Sequence, residues 1–169
     1  LRRRHPWLLV NLVTAFFAAG IVFLFRDEIE KLSLLAVFMP IIAGMGGNSG
    51  AQTLAVAIRS LALGDIHPDE SLRFCLREGS MAFLHGIITG LIAAGIAYFI
   101  EGSLMISFVI LTAMIMTMTI AGIAGGFIPL ALKKVGWDPA QSSSIFLTTV
   151  TDVVGFFIFL SLGAWLLVP

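Results

Sequence analysis

Residues 143–168 read SSIFLTTVTDVVGFFIFLSLGAWLLV. A bilayer core of about 30 Å asks for about 20 apolar residues of helix, and this stretch exceeds that with a single ionisable side chain, Asp152. It reads as a membrane span. Ser144, Thr148, Thr151, Asp152 and Gly155 recur at intervals of three and four, so a helix puts them on one face. The other faces carry Ile145, Phe146, Val150, Val153, Phe156 and Phe157.

Outward from that run the whole chain has the same character. Of 169 residues 59% are hydrophobic and 12% charged, with a mean hydropathy of +1.03, against roughly 25% charged in an ordinary soluble domain. Five spans are predicted, at about 7–25, 32–63, 79–100, 104–132 and 143–168, making one all-α, polytopic pore domain over 1–169. The first run is too long for the apolar part of a signal peptide and is interrupted only by Asn11 and Thr14. Arg26 to Lys31 reads as a short aqueous loop or surface helix, and Ser71 to Glu78 as a short amphipathic helix ahead of the third span. The fourth span is long enough to be tilted or broken near Gly122, Gly125, Gly126 and Pro129. Asp138 is the natural N-cap of the last span, with Pro139 at its first position.

Short cytoplasmic loops carry the excess of Lys and Arg. With five spans, Arg2, Arg3, Arg4, Arg59, Arg73, Arg77, Lys133 and Lys134 fall on one side and only Arg26 and Lys31 on the other. The amino terminus is therefore expected in the cytoplasm and the carboxyl terminus outside, in a multi-pass protein of the cell membrane. The formal net charge is +0, which offers no field for nucleic acid. No internal repeat of the inverted-transporter kind is evident.

Asp152 lies nine residues into the last span, about 13 Å at 1.5 Å per residue. Near the bilayer centre a charged side chain costs from about 2.5 to above 10 kcal/mol. Either it is protonated and hydrogen-bonded to a neighbouring helix, or it faces a water-filled path and holds a cation. A second polar focus is Gly44 to Thr53, where Asn48 and Gln52 stand four apart among Gly44, Gly46, Gly47 and Gly50. Backbone exposed there is tolerated in a membrane only inside protein or beside water. Gly46 with Gly50 also forms a G-x-x-x-G pair, as do Gly86 with Gly90 and Gly122 with Gly126, and the last two are read as helix packing. Gly44, Gly47, Asn48 and Gln52 are candidates for lining the path.

Carboxylate, amide, hydroxyl and backbone oxygens favour Mg²⁺, Ca²⁺ or Mn²⁺ over Zn²⁺ or Cu⁺. Cys75 is the one cysteine and reads as packing; His85 reads as a packed, hydrogen-bonded residue, and Glu78 as a partner of Arg77 or Arg73. One carboxylate per chain is too little to strip Mg²⁺ of its waters, whereas a symmetric dimer sets two around one axis. No enzyme signature is present: no H-E-x-x-H, G-x-S-x-G or P-loop.

Residues 40–65, PIIAGMGGNSGAQTLAVAIRSLALGD, and residues 122–155, GIAGGFIPLALKKVGWDPAQSSSIFLTTVTDVVG, resemble the MgtE family of magnesium channels. The resemblance implies a homodimer in a lipid bilayer, with second and fifth spans lining a central pore. It also implies that Asp152 and backbone at Thr148 bind hydrated Mg²⁺, with Ser144 on the path; the helical spacing adds Thr151 and Gly155 to the expected pore lining. Ser144 stands where relatives can carry Asn. Mn²⁺, Co²⁺ or Ca²⁺ is expected at the same site. Family members usually carry cytoplasmic Mg²⁺-sensing domains; this chain starts six residues before its first span, and such a domain is expected to be absent from it. The function expected is a divalent cation channel. Its rivals are an ion-coupled secondary transporter and a non-transporting membrane assembly subunit.

Overall fold

The computed structural model describes residues 5–66 and 71–167. Arg2, Arg3 and Arg4, the loop residues His67 to Glu70 and the end of the last span at Val168 lie outside the described residues. Within them the order is α1 (His5–Leu24), α2 (Arg26–Lys31), α3 (Leu34–Leu63), α4 (Ser71–Glu101), α5 (Leu104–Lys134) and α6 (Pro139–Leu167). All but α2 are long and apolar enough to cross a membrane, five spans in total. The polar patch at Arg26 forms the short α2.

The boundaries follow local chemistry. Gly64 ends α3 at φ 77°, the left-handed conformation glycine adopts without strain, and the Asp65 N–H closes back on the Ser60 carbonyl (2.9 Å). Ser103 starts α5, its Oγ accepting from the Ile106 N–H at 3.4 Å. Asp138 caps α6 as expected, with Oδ1 accepting from the Ala140 N–H at 3.0 Å; that helix begins at Pro139, ahead of the predicted 143.

Two expectations are corrected. Ser71 to Glu78 is not a separate helix but the first two turns of α4, because Cys75, Gly79, Ala82 and Gly86 form one continuous buried stripe. The fourth span is unbroken through Gly122, Gly125, Gly126 and Pro129. The glycines there are close-packed rather than hinge-like, Gly122 against Ala82, Gly125 against Gly50 and Gly126 against Phe74.

Between membrane helices there is little hydrophobic drive, so small residues and close backbone approach supply the packing. α4 and α5 form an antiparallel hairpin in which a Cβ on Gly86 would come 2.9 Å from the Ile115 Cα, and one on Gly122 would meet Ala82 and the Glu78 carbonyl. α3 runs parallel to α5. Its Gly46 seats Thr117, and its Gly50 carbonyl lies where a Cβ on Gly125 would stand. α6 packs on both, and α1 rests on α6 with no comparable contact to α3, α4 or α5. The large apolar side chains, among them Leu35, Phe38, Ile42, Ile110, Met114 and Phe159, form one buried cluster towards the α2 end.

Gly125→Ala places its methyl on backbone that cannot rotate away. It is expected to destabilise the folded protein by about 1–3 kcal/mol, read as a lower Tm in detergent. Gly44→Ala meets nothing within 4 Å and should keep the parent Tm or gain up to about 1 kcal/mol.

Candidate functional site

Three neighbouring rows of side chains, each spaced by four residues, organise α6. The row Ser143, Leu147, Thr151, Gly155 is buried and faces α3 and α5. Leu147 fills the space beside Gly50, a Cβ on Gly47 would come 4.0 Å from Thr151 Oγ1, and one on Gly155 would come 3.9 Å from the Ala43 Cα and 3.1 Å from Thr117 Cγ2. The row from Ile145 to Phe157 faces α1: Ile145 shares a cavity wall with Trp7 and Leu8, and the Phe157 ring stands 6.2 Å from Phe25. Between them run Ser144, Thr148 and Asp152. This middle row opens into the gap that α1 and α3 leave on either side of α6. Ser144 and Thr148 are exposed and Asp152 is half-buried.

The single face expected of the five α6 residues thus resolves into two rows. Thr151 and Gly155 sit in the contact with α3, while Ser144, Thr148 and Asp152 stand free of it. The reason is the close α3–α6 approach, which turns the smallest residues inward.

On α3 the row Pro40, Gly44, Asn48, Gln52 is exposed along its length. Gly46 and Gly50 are spent on packing, Gly47 lies against Thr151, and Gly44 has open space around it. The α3 and α6 helices are antiparallel, with Ala43 opposite Gly155, Gly47 opposite Thr151 and Gly50 opposite Leu147. Asp152 therefore lies level with Gly46 and Gly47, at a depth between Gly44 and Asn48. Pro40 has no N–H to donate to the Ala36 carbonyl, one turn away on the same exposed row. That carbonyl adds an acceptor to the row.

Hydroxyl protons in both α6 rows point into the helix. Thr148 Oγ1 donates to the Ser144 carbonyl at 2.9 Å, and Thr151 Oγ1 donates to the Thr148 carbonyl at 3.1 Å. Thr148 consequently presents oxygen lone pairs outward, as an acceptor. Among the described residues the ion pair is Arg26 with Asp27, 3.0 Å apart at the surface, and none of the side-chain hydrogen bonds reaches Asp152. Among the described residues no three of His, Cys, Asp and Glu gather into a metal-binding group, and Asp152 is the ionisable side chain that α6 brings to the gap.

Other residues fall differently. Cys75 packs against Gly126, as expected of it. His85 is exposed on α4 rather than packed, and no ion pair involves Glu78 among the described residues. Asn11 and Gln141 were not among the expected path residues, yet both line a cavity with Ser144 and Thr148. The signal for Asn11 was its amide in an otherwise apolar span. Thr117, 1% exposed with an unpartnered Oγ1, sits where α3, α5 and α6 meet. Nothing in the sequence separates it from Thr112 or Thr119.

Residues 39–162 match the profile of the MgtE family, described as a divalent cation transporter. The chain is 34% identical over 162 residues to a magnesium transporter MgtE of Enterococcus faecalis, covering 96% of this chain and 36% of that protein. It is 31% identical over 161 residues to the protein of that name from Bacillus subtilis, covering 95% and 36%, and 29% identical over 164 residues to the one from Thermus thermophilus, covering 97% and 36%. The chain thus spans about a third of the length of these relatives. With five membrane-spanning helices and a family match over most of its length, it is a multi-pass membrane protein that belongs to the MgtE family.

Proposed function

We propose that this chain conducts Mg²⁺ as a hydrated ion through a path at the axis of a homodimer, lined by α3 and α6 of both subunits, with the amino terminus cytoplasmic. The observation that carries the reading is Asp152. It is the ionisable side chain of α6, it has neither an ion-pair nor a hydrogen-bond partner among the described residues, and its row opens beside the exposed amides of α3. A protonated structural Asp is held by hydrogen bonds, and no side-chain hydrogen bond among the described residues involves Asp152. The relatives named magnesium transporters support the choice of ion.

The physical chemistry is consistent with a hydrated ion. Mg²⁺ gives up its waters reluctantly and is usually held by one or two carboxylates that leave several of them in place. Two Asp152 carboxylates at a dimer axis supply that charge, while Thr148, Ser144, Asn48 and Gln52 accept hydrogen bonds from the waters. At an effective dielectric near 20 a carboxylate a few ångströms from a divalent ion contributes several kcal/mol before desolvation is subtracted. The same oxygen set admits Mn²⁺, Co²⁺ and Ca²⁺. The dimer has a further motive: the row of Gly44, Asn48 and Gln52 is uncovered by its own chain, and amides facing lipid without partners are unfavourable.

Asp152→Asn is expected to fold with unchanged or raised Tm in Mg²⁺-free buffer, since an unpaired intramembrane charge is removed. It should lose the Mg²⁺-induced rise in Tm, with apparent affinity at least tenfold weaker, a change of about 1.4 kcal/mol. Equal Mg²⁺ stabilisation of both proteins would remove Asp152 from the site. Gly44→Phe should block Mg²⁺ flux into liposomes while leaving the fold intact, whereas Gly95→Phe, at an equally open position on α4, should not. If imposed pH or Na⁺ gradients drive Mg²⁺ uphill, the protein is a coupled transporter.

A further inference from the structure

The amide of Asn11 is not used by a path lined with α3 and α6. α1 is apolar from Trp7 to Leu24 except at Asn11 and Thr14, and the Thr14 hydroxyl is satisfied by the Asn11 carbonyl at 3.0 Å. The Asn11 side chain, by contrast, lines a cavity of about 770 Å³ together with Trp7, Leu8, Gln141, Ser144 and Thr148. This cavity lies on the α1 side of the middle row of α6, at the helix's first turns. We propose that it is a second divalent-cation site, in which a hydrated ion is held through its waters by Asn11, Gln141 and Ser144 before or after it occupies the Asp152 level. The proposal rests on reading that row as a cation path.

Three features select the occupant. The polar groups are two amides and two hydroxyls, each able to turn an oxygen to the ligand, and Thr148 has committed its proton to the Ser144 carbonyl (2.9 Å), so it can only accept. Acceptors of this kind bind the outward-pointing hydrogens of a metal's water shell. Among the described residues no Lys or Arg lines the cavity, so they offer an anion no counter-charge. The positive end of α6 is neutralised where it approaches, because Asp138 Oδ1 accepts from the Ala140 N–H at 3.0 Å. Asp138 also lines the adjoining cavity with Trp7 and Gln141, so among the described residues a carboxylate stands at the mouth; Lys133 shares a separate cavity with Asp138, Ile58 and Ala62.

Size and spacing agree. Six waters take about 180 Å³ at about 30 Å³ each, well inside the cavity, and the apolar walls Trp7, Leu8 and Ile145 bound it without offering inner-sphere ligands. Gln141 is eleven residues from Asp152, about 16 Å along the helix. That separation lets both levels be occupied at once, and weak, repeated sites are what passage of a strongly hydrated ion requires.

Trp7 is a built-in probe. In the full chain carrying Trp137→Phe and Trp165→Phe, reconstituted in lipid nanodiscs, Co²⁺ should quench Trp7 emission saturably and Mg²⁺ should relieve it. Asn11→Leu combined with Gln141→Leu should raise the half-saturating Co²⁺ concentration at least threefold, and Asn11→Asp should lower it at least threefold. The second variant keeps the test decisive if the first does not fold. Asp152→Asn should abolish flux yet leave Trp7 quenching saturable. Quenching that is linear in Co²⁺ and indifferent to Asn11 in a protein that still passes Mg²⁺ overturns the site alone, and means that lipid or a partner subunit fills the cavity. Saturable quenching tuned by Asn11 in a protein that passes no Mg²⁺ supports the site and overturns conduction.

Discussion

The contact between the backbones of α3 and α5 at Gly50 and Gly125 fixes the geometry on which everything else depends. With the Gly50 carbonyl lying where a side chain on α5 would begin, α3 cannot stand off, and its neighbours Gly46 and Thr53 are drawn against Thr117 and Gly125. α6 then has one groove available, and it enters with Leu147, Thr151 and Gly155 inward. Helical periodicity does the rest. Once that row is buried, Ser144, Thr148 and Asp152 lie next to it, facing the gap beside α3. The position of the carboxylate is thus a consequence of glycine packing between the two helices on which α6 rests.

This division of labour separates two groups of polar residues in the spans. Thr151 bonds the Thr148 carbonyl (3.1 Å) and Ser142 bonds the Asp138 carbonyl (3.1 Å), so each satisfies itself within its own helix and can be buried without a partner elsewhere. Asn11, Asn48, Gln52 and Asp152 cannot do this as easily, and they fall on surfaces of the single chain that remain partly or fully open. In a membrane such groups need water or another protein surface. Their arrangement around α6 is the physical argument for a wet path.

Much of this was legible in the sequence because membrane helices leave strong signals. Span number follows from apolar length, and the cap at Asp138 and the stop at Gly64 from residue type. What could not be read was which side of each glycine-rich stretch faces inward. Gly44 and Gly46 differ by two positions and by 200° around the helix, and only the fit of Gly46 to Thr117 assigns one to packing and leaves the other open. The same limit merged Thr151 and Gly155 with the exposed row, since a helical wheel spans both. The continuity of α4 across Gly79 was hidden for a related reason: a polar, amphipathic start looks like a surface helix until its buried stripe is seen to run on into the span. Asn11 and Gln141 belong to helices distant in sequence, and only the parallel docking of α1 on α6 brings them together.

The packing pattern also bears on how an ion would move. α3, α4 and α5 are joined by backbone-close contacts at Gly50, Gly86, Gly122 and Gly125, and helices locked in this way have little room to slide. A carrier that alternates access needs a body that rocks against another; here α6 is set by its buried row against the tight three-helix unit. α1 alone is loosely held, with Ala18 its only buried residue among those described. α1 meets the rest of the chain between the Trp7–Trp137 edge contact at 6.2 Å and the Phe25–Phe157 contact at 6.2 Å. For the proposed conduction, α3, α5 and α6 would form the close-packed wall of the path and α1 its loosely held one.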